Sequence, residues 1–113
     1  MSLFSYDYGQ AEPIAKAMPD AGTVTVFTAG YNQAVILGLR AALKGASTTT
    51  TLSLEVFDGT DAFAIRGAKP LEGFEVVREH MPIVLSPGWS LRATRGAGDP
   101  IDITGIVVTQ DGR

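Results

Sequence analysis

The sequence contains no cysteine. Disulfide staples, thiolate nucleophiles and cysteine-based metal centres are therefore excluded. It holds one histidine and one tryptophan, so no imidazole cluster can form. Apolar runs are short: none approaches the roughly 20 residues of a helical membrane span. The opening Met-Ser-Leu-Phe-Ser-Tyr-Asp-Tyr-Gly has neither the basic nor the apolar region of a signal peptide, so synthesis and folding in a cytoplasm are expected. Charge is also sparse, at 19% of residues, with a net charge of −3. A mildly acidic chain argues against nucleic acid as a partner, which would call for a basic patch. It argues equally against an anionic membrane surface.

What the chain does have is turn residues and short apolar segments. Thirteen glycines and six prolines are spread through 113 residues, of which 45% are hydrophobic. A chain of this length forms one domain and buries roughly two-thirds of its unfolded surface on folding. Val35–Phe57 is the most strongly patterned stretch. Two β-prone flanks, Val35–Leu43 and Thr48–Phe57, surround Lys44-Gly45-Ala46-Ser47, which reads as the loop of a central antiparallel hairpin. Leu52, Leu54 and Val56 alternate with Thr51, Ser53 and Glu55, the pattern of a sheet with one wet face.

Further strands are expected at Thr23–Thr28, Ala62–Arg66, Phe74–Arg78, Met81–Leu85, Trp89–Thr94 and Ile101–Val108. The segment Gly67–Gly73, which contains Pro70, reads as a loop. In the last strand, Ile101 and Ile103 fall out of phase with Ile106 and Val108, so a β-bulge is expected near Gly105. The sum is an all-β domain over residues 23–113: a single β-sandwich or jelly-roll-like fold of about eight short antiparallel strands.

Residues 1–22 read differently, as an N-terminal arm. Phe4, Tyr6 and Tyr8 alternate with Ser5 and Asp7, so an extended segment would carry its three rings on one side. Such rings either cover the chain's own core or anchor the arm on a neighbouring subunit. Phe4, Tyr6 and Tyr8 are therefore the candidate partner-binding residues. Glu12–Met18 reads as one or two helical turns, with Pro13 in the first.

No catalytic constellation emerges. His80 lacks a nucleophile-elbow motif to work with and reads as a turn or interface residue. Asp58 with Asp61, and Asp99 with Asp102, flank turns, where aspartate is favoured without any metal. Arg95-Gly96-Ala97-Gly98 is followed by no helix that could hold a phosphate, and reads as a flexible hairpin loop. Trp89 and Tyr31 could stack on sugar rings, which keeps a carbohydrate-binding module as an alternative. No catalytic, cofactor or metal residues are assigned, and the chain reads as a non-enzymatic structural or binding module.

Four segments, in order, carry a resemblance. They are Ala-Val-Ile-Leu-Gly-Leu-Arg-Ala-Ala at 34–42, Leu-Glu-Val-Phe-Asp-Gly-Thr at 54–60, Gly-Ala-Lys-Pro-Leu-Glu-Gly at 67–73 and Ile-Val-Leu-Ser-Pro-Gly-Trp-Ser-Leu-Arg-Ala at 83–93. Together they resemble small all-β virion proteins of tailed bacteriophages, over roughly residues 23–108. The resemblance implies a virion location, a non-enzymatic structural role and no cofactor. The leading role it implies is capsid decoration, or cementing, by docking on the major capsid protein. A head–tail neck or tail-surface component is the alternative. It also implies self-association into a homo-oligomer, with a trimer as one arrangement open to it.

Overall fold

A computed structural model describes residues 10–109, which form nine strands. These are β1 (Gln10–Met18), β2 (Gly22–Thr28), β3 (Ala34–Leu43), β4 (Thr50–Phe57), β5 (Ala62–Leu71), β6 (Val76–Arg78), β7 (Ile83–Leu85), β8 (Ser90–Arg95) and β9 (Ile101–Thr109). They make two antiparallel sheets. In the first, sheet A, the order is β1-β9-β3-β6, with β7 also paired to β3; in the second, sheet B, it is β2-β8-β4-β5. Except at β4–β5 and β6–β7, the chain changes sheet at each connection. This gives a β-sandwich with jelly-roll-like connectivity.

The core fills the space between the sheets. Sheet A contributes Met18, Ile36, Leu39, Leu43, Leu85, Ile101 and Ile103, and sheet B contributes Leu52, Leu54, Leu71 and Leu91, all buried. The expected alternation in β4 holds: Leu52 and Leu54 are buried, and Val56 packs against the same core.

Several expectations are corrected. Residues 35–57 are not a hairpin. β3 pairs with β9, β6 and β7, whereas β4 pairs with β8 and β5. The connection at 44–49 therefore crosses from one sheet to the other, because Leu43 and Thr50 at its two ends are both buried. The helical turns over Glu12–Met18 are replaced by strand β1, which pairs with β9 along its whole length. Its backbone donors and acceptors find partners in β9, and Ile14 and Met18 enter the core. The expected arm at 1–22 thus contributes an edge strand of sheet A from residue 10 to 18, and the start of β2 at Gly22. Residues 67–71 are strand rather than loop. β5 runs on to Leu71 at the edge of sheet B, where Pro70 is tolerated.

The expected bulge lies in a different strand. β9 alternates without interruption against β1, with Ile101, Ile103 and Val107 buried and Ile106 exposed. The register shift falls in β3, between Leu37 and Arg40, where Gly38 has a φ of 62°. An L-residue side chain is disfavoured in that left-handed conformation, so glycine belongs there. The inward residues are Ala34 and Ile36 before the shift, and Leu39, Ala41 and Leu43 after it. A shift of the same size in β2, one extra residue between Thr25 and Phe27, likewise breaks the strict alternation expected of Val24, Val26 and Thr28.

Candidate docking surface

Paired residues of neighbouring strands point to the same side of a sheet. On the outer face of sheet A the register therefore brings apolar side chains into rows. One row runs Val84, Val35, Val108, Ala11 across β7, β3, β9 and β1. The next runs Leu37, Ile106, Pro13. Leu37, Val84 and Ile106 are 39%, 52% and 49% exposed. Farther along β1, Ala15 and Ala17 keep the edge of this face small and uncharged. A single exposed apolar residue is ordinary, but a contiguous patch marks an interaction surface.

One margin of the patch is cationic. Beyond the shift in β3, Arg40 lies opposite Arg78 of β6, and both are exposed. Neither is in an ion pair among the described residues. Gly38, Leu39, Arg40, Arg78, Glu79 and His80 line a shallow cleft of about 250 Å³ at this margin. His80 is exposed. Glu79 is committed to Arg66 by a salt bridge, so the cleft presents one imidazole and two guanidinium groups that make no ion pair among the described residues.

The outer face of sheet B is built from polar groups that satisfy one another. Thr23 Oγ1 lies 2.7 Å from Thr94 Oγ1, and Thr28 Oγ1 lies 2.9 Å from Ser90 Oγ. Arg92 pairs with Glu55 and stacks over the Phe57 ring, 4.0 Å from its centroid. Its apolar residues are Phe57, beneath the Arg92 guanidinium, and the small Ala62, Ala64 and Pro70 of the edge strand β5.

The aspartates act as turn locks. Asp58 Oδ1 accepts from the backbone N–H of Thr60 at 2.8 Å and of Asp61 at 2.7 Å. Those bonds, that of Asp61 first, lower the Asp58 pKa below its ordinary value. Asp99 Oδ2 accepts from the N–H groups of Ser47 and Thr48. Among the described residues, no group of three or more metal-ligating side chains converges. Trp89 packs against the core and stacks with Phe63 at 6.4 Å between ring centroids, leaving Tyr31, 99% exposed, as the bare aromatic of the pair expected to stack on sugars.

The 95–100 loop is tied down rather than flexible. Arg95 is 4% exposed, and its guanidinium donates to the carbonyls of Met18 (2.8 Å), Pro19 (2.5 Å), Gly96 (2.7 Å) and Gly98 (3.2 Å). It joins the β1–β2 corner to the β8–β9 loop, and so fixes sheet A against sheet B. Nothing in the local sequence signals this, because the Met18 and Pro19 acceptors lie more than seventy residues away. Phe4, Tyr6 and Tyr8 lie outside the described residues.

No protein-family model matches the chain, and no curated protein matches it in sequence. Solved structures do match in fold. A chain of the acidic stable capsid structure of Helicobacter pylori bacteriophage KHP30 is similar with a TM-score of 0.61 at 10% identity, covering 88% of this chain and 86% of that one. The Drosophila NLP core, described in terms of pentamer formation and histone binding, is similar with a TM-score of 0.60 at 15% identity, covering 90% and 100%. A chain of the T13 infectious bursal disease virus particle gives 0.54 at 15% identity, covering 91% of this chain. The protein spans about a third of that chain, with 31% covered. At these identities the likeness is one of fold: an all-β sandwich that recurs in viral capsids. Among the described residues, no helix is long and apolar enough to cross a membrane.

Proposed function

We propose that the protein is a non-enzymatic structural component of a bacteriophage virion, and more narrowly a capsid decoration protein that docks on the major capsid protein. The observation that carries this reading is the division between the two outer faces. One is mostly polar and carries three internally satisfied pairs, while the other presents a continuous apolar patch edged by two arginines that make no ion pair among the described residues. A protein that works by buried area needs one such face and no catalytic pocket. The fold likeness supports the reading, since the phage capsid chain that it matches is covered nearly end to end and is thus of similar length. A module of this size adds to a shell by bridging subunits, and many weak contacts on a symmetric shell combine through multivalency. A standard interface of about 1,600 Å² is enough for each contact.

Self-association and a virion location belong to the same proposal, with Phe4, Tyr6 and Tyr8 as the partner-binding residues. Co-expression with the major capsid protein of the same genome, followed by sedimentation of the assembled shells, tests it. The protein should travel with the shells in a fixed ratio. Shells recovered free of it, with the protein found on the necks or tails of whole virions in a parallel fractionation, would move the role to the head–tail accessory alternative.

A further inference from the structure

We infer that Arg40 and Arg78 form a carboxylate-binding site, and that the carboxylate belongs to an acidic side chain of the shell protein that covers the apolar patch. The second half of the inference rests on the virion-structural reading above and names the chemistry of the partner.

Three observations carry it. The first is an unfavourable pairing. Arg40 of β3 and Arg78 of β6 are direct cross-strand partners. The Leu43 N–H donates to the Glu75 carbonyl, and the Glu79 N–H to the Leu39 carbonyl. Bonded positions alternate with non-bonded ones in an antiparallel pair, so Arg40 and Arg78 fall at a non-bonded position. Side chains are closest there, with Cβ atoms about 4.5–5.5 Å apart. The next pair, Ala41 and Val77, is buried, so both guanidinium groups stand on the outer face. Like charges directly opposite one another destabilise a sheet. A carboxylate held between them replaces that repulsion with charge-assisted hydrogen bonds to a planar fork.

The second observation is that the chain's own acidic groups do not fill this role among the described residues. The other arginines there are all engaged. Arg66 pairs with Glu79, Arg92 pairs with Glu55, and Arg95 donates to backbone carbonyls. Glu79 lines the cleft beside Arg40 and Arg78, but its carboxylate is held by Arg66. His80 lines the same cleft and adds a ring N–H donor. At Gly38 the space that a Cβ would enter is open, so no side chain from that position closes the cleft.

The third observation decides what kind of anion the site takes. On one side of the arginines lies the apolar row Leu37, Ile106, Pro13. On the other lies the row Val76, Ala42, Asp102, Ala17. Its one charge, Asp102, is paired with Lys44 at 3.5 Å. Along their own row the arginines are followed by Thr104 and Ala15. Unpaired positive charge on this face is thus confined to one spot in an apolar and neutral surround. A nucleic-acid backbone calls for a track of cations. A single acidic side chain set in an apolar protein surface matches both the spot and its surround.

Acetate is the probe for the site itself. The arginine Nε–H resonances of the full chain are followed by NMR as acetate replaces chloride at constant ionic strength. The resonances missing from Arg40→Gln and Arg78→Gln should shift saturably, whereas those of Arg66, Arg92 and Arg95 should not. Both variants should melt no lower than the parent at low salt, since each removes a repulsion, so a lost response is not a lost fold. No saturable shift at residues 40 and 78, or equal shifts at all five arginines, would overturn the inference.

Shells test the source of the carboxylate. The Arg40→Gln/Arg78→Gln double variant should co-sediment with shells severalfold less than the parent. An Arg78→Lys variant, treated with a carbodiimide while bound to shells, should couple through residue 78 to an aspartate or glutamate of the shell protein, as mass spectrometry of the linked peptides would show. Undiminished sedimentation of the double variant, or coupling through the native lysines alone, would overturn this half and leave the virion reading intact. A parent protein that responds to acetate yet never joins shells would remove the virion reading, and with it the shell as the source, while the carboxylate site stands.

Discussion

The two outer faces of the sandwich have the same strand geometry and opposite chemistry. On sheet B, three polar cross-strand pairs satisfy each other: Thr23 with Thr94, Thr28 with Ser90, Glu55 with Arg92. On sheet A, the corresponding positions hold valine, leucine, isoleucine and proline. Water solvates the first face at no cost, while the second gains free energy when covered, at about 25 cal/mol per Å² of apolar surface removed from water. The contrast teaches that burial within the fold and burial between molecules can be assigned to the two sides of one sheet. The inner face of sheet A holds the monomer together, and its outer face is left uncovered by the described residues.

The largest effect that sharpens this contrast is in the core. Leu54→Ala should cost about 2–5 kcal/mol of folding stability through lost burial and the cavity left behind. Its neighbour Ser53→Ala, on the outer side, should cost well under about 1 kcal/mol. Denaturant unfolding of both variants measures this, and equal costs would mean that the outer side of sheet B is buried as well. Next is the clamp between the sheets. Arg95→Met should cost about 1.5–3 kcal/mol, because it strands the Met18 and Pro19 carbonyls that the guanidinium satisfies.

Third is the register device in β3. Gly38→Ala should cost about 1–2 kcal/mol, since it places an L-residue at a φ of 62°. Gly105→Ala should cost less than Gly38→Ala. Gly105 has no positive φ, and an added Cβ would meet Leu37 and Leu39 at 3.4 Å, within ordinary contact. A reversal of that order, read from melting temperatures, would return the irregularity to β9.

The sequence made much of this legible, in proportion to how local each signal is. The alternation of Leu52, Leu54 and Val56 reads directly, because period two over one strand needs no knowledge of its partner. The pairing of β3 and β4 with different sheets does not read, since two strands in sequence look the same whether they join as a hairpin or arch across a core. β1 was masked by an ambiguity of spacing. Ile14 and Met18 lie four apart, which suits one face of a helix as well as one face of a strand, and Ala, Lys and Glu favour helix. The phase slip between β3 and β9 shows that one of two paired strands must be irregular, and only the backbone at Gly38 says which. The apolar outer face was partly visible as the out-of-phase Ile106 and Val108. Bringing them into phase with Ile101 and Ile103 requires a bulge near Gly105, whereas the structure keeps β9 regular and leaves Ile106 49% exposed.

A smaller effect on folding separates the two faces of sheet A. The double variant Leu37→Ser/Ile106→Ser should change monomer stability by no more than about 0.5 kcal/mol, yet reduce self-association and shell binding severalfold. Thr25→Ser on sheet B should alter neither, as light scattering and shell sedimentation would show.

The smallest effect lies in a turn. Asp58 has its pKa lowered in the fold by the N–H groups of Asp61 and Thr60. Its contribution is therefore present above its unfolded pKa, near 3.8, and is lost as pH falls through the lower folded value. Asp58→Ala should destabilise at neutral pH, and the difference from the parent protein should shrink in acid.

Footprinting of the assembled protein tests the central claim most directly, with hydroxyl-radical labelling of both outer faces read side by side by mass spectrometry. The account predicts that Leu37, Val84 and Ile106 lose reactivity on assembly while Thr23, Thr25 and Thr94 keep theirs. Protection of the sheet B threonines, with Leu37 and Ile106 still reactive, would contradict it.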